Sequence, residues 1–217
     1  MGQKINPIGI RTGSFLPWKS RWFAGSTNFK DFLIEDIRIR KGLTDKLKLA
    51  GVTNIEIERQ PKSMVIAIWV SRPGVVIGRG GSGIEDVKKF IVGIISEVRK
   101  KAVSDVKIDI RINEVKNPEI SAALVVGRII GELERRIPHR RVVQKAVERV
   151  MASGALGVKV VLSGRIGGAS IARKEKFKDG SVPAQSLREN IDYAEHPASL
   201  KQGYVGVKVW IHKRADA

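Results

Sequence analysis

Between Met64 and Val98 the hydrophobic period of this chain changes from two to about 3.6, across a glycine-rich break. Met64, Ile66, Ile68 and Val70 alternate with Val65, Ala67 and Trp69, which predicts a strand. Ile84, Val87, Ile91, Ile95 and Val98 then recur at helical spacing, with Glu85, Lys88, Lys89 and Lys100 facing away. Pro73-Gly74 stops the strand, and a short helical turn is expected to lead into Gly78-Arg79-Gly80-Gly81. Glycine at these points permits positive φ and lets a ligand reach the backbone without a Cβ in the way. Amides at the start of the following helix can face an anion, helped by the helix dipole. With Arg79 at its tip, the loop is expected to clamp a phosphate backbone.

The flanking segments extend this pattern. A helix is expected from Asn28, as N-cap, to Gly51, with Phe32, Leu33, Ile37, Leu47 and Leu49 buried. Ile55 and Ile57 alternate with Glu56 and Glu58 in a strand before Met64. Val106, Ile108, Ile110 and Ile112 alternate with Asp105, Lys107, Asp109, Arg111 and Asn113 in the clearest strand of this half. The order helix–strand–strand–helix–loop–helix–strand is a compact α+β unit spanning residues 18–113. Residues 1–17 carry Gly2, Gly9, Gly13, Pro7 and Pro17 and no period, so they read as an irregular arm that threads along RNA or frays. Trp18 and Trp22, set among Lys19, Arg21 and Phe23, either stack on bases or pin the arm to the core.

Pro118 opens a second half, residues 114–217. Ile120, Ala123, Leu124, Gly127, Ile130, Leu133 and Ile137 mark one face of a helix whose small residues allow close packing. After Pro138 a second helix turns Val143, Ala146, Val147, Val150 and Met151 inward and stops at Ser153-Gly154. Four strand-like segments follow at 157–164, 170–178, 187–194 and 204–213.

The charge narrows the partner. Forty Lys and Arg against 22 Asp and Glu give +18, and between Arg135 and Lys178 twelve cations meet two acids. Such an excess favours a polyanion. There is no cysteine, and His139, His196 and His212 have no metal-ligand spacing, so no metal, cofactor or small-molecule substrate is expected. Catalysis finds no support: no nucleophile–base pair and no phosphate loop with an invading lysine is present. Met64–Val70, the longest apolar run, is too short for a bilayer. No secretory signal is visible, so no membrane partner and a cytoplasmic location are expected. Gly78-x-Gly80-x-x-Gly83 also fits the dinucleotide fingerprint, but only Val75-Val76-Ile77 stands between Pro73-Gly74 and Gly78. No acid falls about 20 positions on at a strand end, which disfavours that reading.

Two further cationic sites stand out. After Glu134-Arg135-Arg136-Ile137-Pro138-His139, Arg140 stacks on Gln144, and Arg141 on Lys145 and Arg149, at i, i+4 spacing with Glu148 as the single acid. Phosphate contact explains that bias better than solvation, and arginine suits it because its fork binds phosphate bidentately. Around Ser163-Gly164-Arg165-Ile166-Gly167-Gly168-Ala169, Arg165, Arg173, Lys174, Lys176 and Lys178 cluster with little acid nearby.

The Gly78–Gly81 loop between two helices resembles the KH domain in its type II arrangement, which clamps single-stranded nucleic acid. By that resemblance Val76, Ile77, Gly78, Arg79, Gly80, Gly81 and Ile84 form the RNA groove. Further stretches extend the resemblance over nearly the whole chain: Met1-Gly2-Gln3-Lys4-Ile5-Asn6-Pro7, Glu35-Asp36-Ile37-Arg38, Arg72-Pro73-Gly74-Val75, Leu133-Glu134-Arg135-Arg136, Ser163–Ala169 and Gly206-Val207-Lys208-Val209-Trp210-Ile211. They resemble the bacterial-type S-three family of small-subunit ribosomal proteins. The resemblance implies an α+β fold: an N-terminal type II KH domain, three strands with helices on one side, then two helices on a mainly antiparallel four-stranded sheet. It implies a ribosomal structural protein bound to small-subunit (16S-type) rRNA in the head, beside head proteins S-ten and S-fourteen. It also implies contact with mRNA at the entrance channel and passive help in unwinding. The entrance residues correspond to Arg140 and Arg141. The family's third position, usually Lys, is Gln144 here, so either Lys145 substitutes or two arginines act alone. The rRNA contacts are expected from Lys4, Arg11, Lys19, Arg21, Arg135, Arg136, Arg165, Arg173, Lys174, Lys176 and Lys178.

Overall fold

The alternation of residues 64–70 places that segment at the centre of a sheet. The computed structural model describes residues 4–60, 63–99 and 107–214. Contacts divide the chain into Trp18–Lys116 and a second unit made of Asn117–Ala217 with the residues up to Pro17.

In the Trp18–Lys116 unit, β1 (Ser20–Arg21), β2 (Val52–Arg59), β3 (Ser63–Val70) and β4 (Lys107–Glu114) lie in that order in one sheet. Helices α2 (Ser26–Lys46) and α4 (Ser82–Arg99) pack on it, and α3 (Pro73–Ile77) leads into α4, while α1 (Pro7–Arg11) belongs to the other unit. β2 and β3 are antiparallel, while β3 and β4 run parallel with Met64, Ile66 and Ile68 opposite Ile108, Ile110 and Ile112. Ile57, Met64, Ile66 and Ile68 from the strands and Ile39, Leu43, Val87, Ile91 and Ile95 from the helices form the core. The three expected strands are joined by a fourth, the two-residue β1, parallel to β2. Val106 and Asp105 lie outside the described residues.

The face of α2 differs from the expectation. The helix starts at Ser26, and Gly51, at φ 68, ends the 3-10 turn that follows it. Leu47 is buried and Phe32 half-buried, but Leu33, Ile37 and Leu49 are exposed. The helix instead buries Glu35, Asp36, Ile39 and Leu43. Two carboxylates can sit inside because both are paired and hydrogen-bonded. Arg99 Nε donates to Glu35 Oε1 at 2.6 Å, Arg59 binds both acids, and Asp36 Oδ2 accepts from Ser20 Oγ at 2.9 Å and Trp22 Nε1 at 2.8 Å. Trp22 thus pins the segment after the arm to α2, whereas Trp18 is exposed.

In the second unit β5 (Gly157–Gly164), β6 (Arg173–Gly180), β7 (Ile191–Leu200) and β8 (Gly203–His212) form an antiparallel sheet in the order β6-β5-β8-β7. Helices α5 (Ala122–Glu134) and α6 (His139–Ala152) cover one face of it. α6 turns inward as expected, with Val143, Ala146 and Val150 buried. α5 is rotated from the expectation, burying Ala122, Val125, Val126, Ile129 and Leu133. Gly127 faces open space, so its smallness serves no packing. β7 lies later than the 187–194 read from sequence, and its Pro197 is tolerated because β7 is an edge strand.

The described part of the arm, residues 4–17, is not wholly irregular. Asn6 Oδ1 accepts from Ile8 N at 2.9 Å and caps a short helix, α1 (Pro7–Arg11), that contacts β7. Asn before Pro is a helix-start signal, but a five-residue helix is too short to show a hydrophobic period.

Candidate nucleic-acid interface

The glycine loop is the joint between α3 and α4. Gly78 has φ 69 and ψ −178, Gly80 φ 63 and Gly81 φ 84, settings that cost a residue with a Cβ about 1–2 kcal/mol. A Cβ on Gly80 or Gly81 would meet open space, so this stretch of backbone is bare toward a ligand. Gly83, noted from sequence only as the last glycine of the disfavoured dinucleotide pattern, makes the tightest approach in the loop: a Cβ there would lie 2.3 Å from Val76 O. It lets the first turn of α4 press on the last turn of α3. Arg79 and Ile77 are exposed and Ile84 is half-buried beside the loop. Val76 departs from its expected role. It is buried in the core cluster and holds α3 down instead of lining a groove.

The second cluster is built on the joint between α5 and α6. Arg136 N donates to Leu133 O at 2.9 Å and Ile137 N to Glu132 O at 3.2 Å, closing the end of α5 in a Schellman pattern. The left-handed residue that this pattern needs is Arg136, at φ 61, where glycine is usual. Both Arg135 and Arg136 are exposed. The first turn of α6 is fixed to β6, because His139 Nε2 lies 3.0 Å from Glu175 Oε2 and Arg173 Nε 2.7 Å from Glu175 Oε1. Burial alone would raise the Glu175 pKa, but His139 and Arg173 hold it below the usual carboxylate value. Arg140, Arg141, Gln144, Lys145 and Arg149 are all exposed on the outer side. The ion pairs of this unit, among the described residues, are made by Arg128, His139, Arg173, Lys208, His212 and Lys213. Arg140, Arg141 and Lys145 make none.

The remaining expected cations divide. Lys4, Lys19, Lys174, Lys176 and Lys178 are exposed and make no ion pair among the described residues. Arg21 pairs with Glu58 at 3.1 Å, and Arg173 with Glu175, so both are partly neutralised. Arg165 donates to Ala169 O at 2.9 Å and Gln202 O at 3.2 Å, bracing its loop against the β7–β8 turn. Arg11 is a correction. It is 1% exposed, and its guanidinium donates to the carbonyls of Pro7, Ala184, Ser186 and Glu189. With its donors taken by backbone, it cannot grip rRNA. Among the described residues no group of three or more acidic or histidine side chains could hold a metal, and no helix is long and apolar enough to cross a membrane.

A KH-like sheet with a bare glycine joint, accompanied by a second unit bearing unpaired cations, defines an RNA-binding protein of the KH class. Residues 38–120 match the family described as KH domain, and residues 129–211 the family described as Ribosomal protein S3, C-terminal domain. Small ribosomal subunit protein uS3 of Hydrogenovibrio crunogenus is 46% identical over 213 residues, covering 98% of this chain and 90% of the relative. The corresponding proteins of Persephonella marina, at 44% identity, and Caldicellulosiruptor saccharolyticus, at 43%, also match over 98% of this chain, covering 90% and 92% of their own length. The chain belongs to the uS3 family of small ribosomal subunit proteins.

Proposed function

We propose that this chain, a structural and non-enzymatic constituent of the small ribosomal subunit, holds rRNA in the subunit head and steadies mRNA at the entrance channel. The observation that carries the mRNA part is the pair Arg140 and Arg141, unpaired and exposed on the first turn of α6, with Lys145 one turn on. The neutral Gln144 leaves the arginine forks as the main grip, with Lys145 as a point charge. Support for unwinding is passive in kind: cations hold strands once melted, and translocation supplies the energy.

The KH unit is assigned to residues 18–113, with Ile77, Gly78, Arg79, Gly80, Gly81 and Ile84 at its RNA-facing joint. The arm is assigned to residues 1–17 and the anchoring unit to residues 114–217, with Lys4 of the arm and Arg135, Arg136, Arg165, Lys174, Lys176 and Lys178 of the anchoring unit on rRNA and Arg173 contributing less, while the KH unit adds Lys19 and, more weakly, Arg21. S-ten and S-fourteen are its proposed protein neighbours, and the cytoplasmic small subunit its place of work. Arg140→Ala combined with Arg141→Ala tests the α6 assignment. Subunits should assemble normally while translation through a stable hairpin slows relative to an unstructured message. Unimpeded passage through the hairpin would refute the assignment.

A further inference from the structure

Helix α6 starts without the devices that usually hold a first turn. Its N-cap is Pro138, whose side chain accepts no hydrogen bond, and no acid stands in that turn. The first N–H groups of a helix have no partner within it, and they form the positive end of its dipole. The turn nevertheless carries Arg140 and Arg141, whose charges that dipole opposes. Helix ends of this kind fray unless tertiary contacts hold them. Val142 and Val143 are buried and hold the end of the turn. Its beginning needs another anchor.

The anchor comes from β6. Glu175 shares a strand face with Phe177, which packs against the core under the helices. Both of its carboxylate oxygens are engaged. Oε2 accepts from His139 Nε2 at 3.0 Å, and Arg173 Nε lies 2.7 Å from Oε1, so the acid is steadied from two sides. His139, the first residue of α6, is half-buried. It also lies against the loop after β5, where a Cβ on Gly167 would come to 3.9 Å from its Nδ1. The imidazole is thus held between β6 and that loop, immediately before the two arginines. An anion tied to the first helical residue also offsets the dipole there.

We infer that His139 and Glu175 are positioning residues for mRNA, acting through Arg140 and Arg141 by presenting the pair in a fixed direction. The inference rests on the entrance-channel reading above and deepens it. Among the described residues neither arginine has an ion-pair partner to aim it. The turn they stand on sets their direction. Forks ordered before contact bind more tightly, because side chains that must be ordered on contact subtract from affinity. Without the His139–Glu175 tie both charges remain, and their common direction is lost.

The test uses small subunits assembled with the full-length variant chain. Translation through a stable hairpin is compared with translation of an unstructured message. Glu175→Ala should slow hairpin passage by about 3–5-fold, the scale of ordering one or two long side chains on contact. That slowing should be smaller than in the Arg140→Ala, Arg141→Ala double variant. Placed in the double-variant background, Glu175→Ala should add nothing, because a positioning residue has no effect once the residues it positions are gone. His139→Gln keeps a donor toward Glu175 and should pass the hairpin at close to the original rate. If Glu175→Ala yields no subunits, Glu175→Gln, which keeps the shape and one acceptor, should show the same masking with a smaller slowing. Passage at the original rate in Glu175→Ala subunits, with the double variant slow, overturns the inference and leaves the entrance-channel reading standing. A slowing that persists at full size in the double-variant background also overturns it, since the acid then acts on the fold or through Arg173. Unimpeded passage in the double variant itself removes the reading and this inference with it.

Discussion

Replacing Arg11 with alanine separates a structural cation from an RNA ligand. The guanidinium donates to Ser186 O at 2.7 Å, Pro7 O at 2.9 Å, Glu189 O at 3.0 Å and Ala184 O at 3.2 Å. Burial lowers its pKa and the Glu189 carboxylate partly restores it, so the group enters the fold charged and is held mainly by backbone carbonyls. Hydrogen bonds to a charged group contribute about 1.5–3 kcal/mol each. These four share one donor group, and the carbonyls of the 184–189 segment can turn to water, so the sum is far from additive. A net cost of about 4 kcal/mol follows, a large part of the roughly 5–15 kcal/mol that holds a typical domain. With a urea slope of about 2 kcal/mol per M, the unfolding midpoint of the second unit should fall by about 2 M. Circular dichroism in urea measures it, and protease sensitivity at 184–189 reports the loosened segment. The slope of rRNA affinity against salt should not change in the folded variant. An unchanged midpoint together with a slope shallower by about 1 would show that Arg11 serves RNA, and the structural account would fail.

Arg136→Gly should relieve the left-handed strain at φ 61 and gain about 1 kcal/mol, a rise of about 2–4 °C in melting temperature, while weakening rRNA binding. A lower melting temperature would contradict the strain assignment. Gly83→Ala should force α3 and α4 apart, because its Cβ would stand 2.3 Å from Val76 O, at a cost of about 1–3 kcal/mol. Gly80→Ala meets open space and carries only the positive-φ cost of about 1–2 kcal/mol. If thermal melts show Gly83→Ala as the milder of the two, the joint is looser than described.

Local periodicity made much of the KH half legible. The strands at 55–58 and 64–70, the turn after Pro73 and the helix after Gly81 stand where alternation and helical spacing put them. The same logic failed on α2, because hydrophobic spacing treats Glu35 and Asp36 as surface residues. Their burial depends on Arg59 and Arg99, which arrive from β2 and α4. On α5 the apolar residues are dense enough for neighbouring registers to compete, and the sheet beneath chose Val125 and Val126 over Ala123 and Leu124. Arg140 and Arg141 could be read as an exposed pair because their own helix supplies the i, i+4 context. Arg11 could not, since three of its four carbonyl partners lie over 170 residues away in sequence.

The sequence alone determined the sign of the charge, the class of partner and the glycines that leave the α3–α4 joint bare, because each of these is a property of residue type and short-range geometry. The tertiary structure decided which cations remain available. Arg11 was spent on carbonyls, Arg173 was halved by Glu175, and the turn bearing Arg140 and Arg141 was tied through His139 to the same acid. A cation's availability depends on what folding brings within a few ångströms of it, and a linear pattern carries no information about that distance.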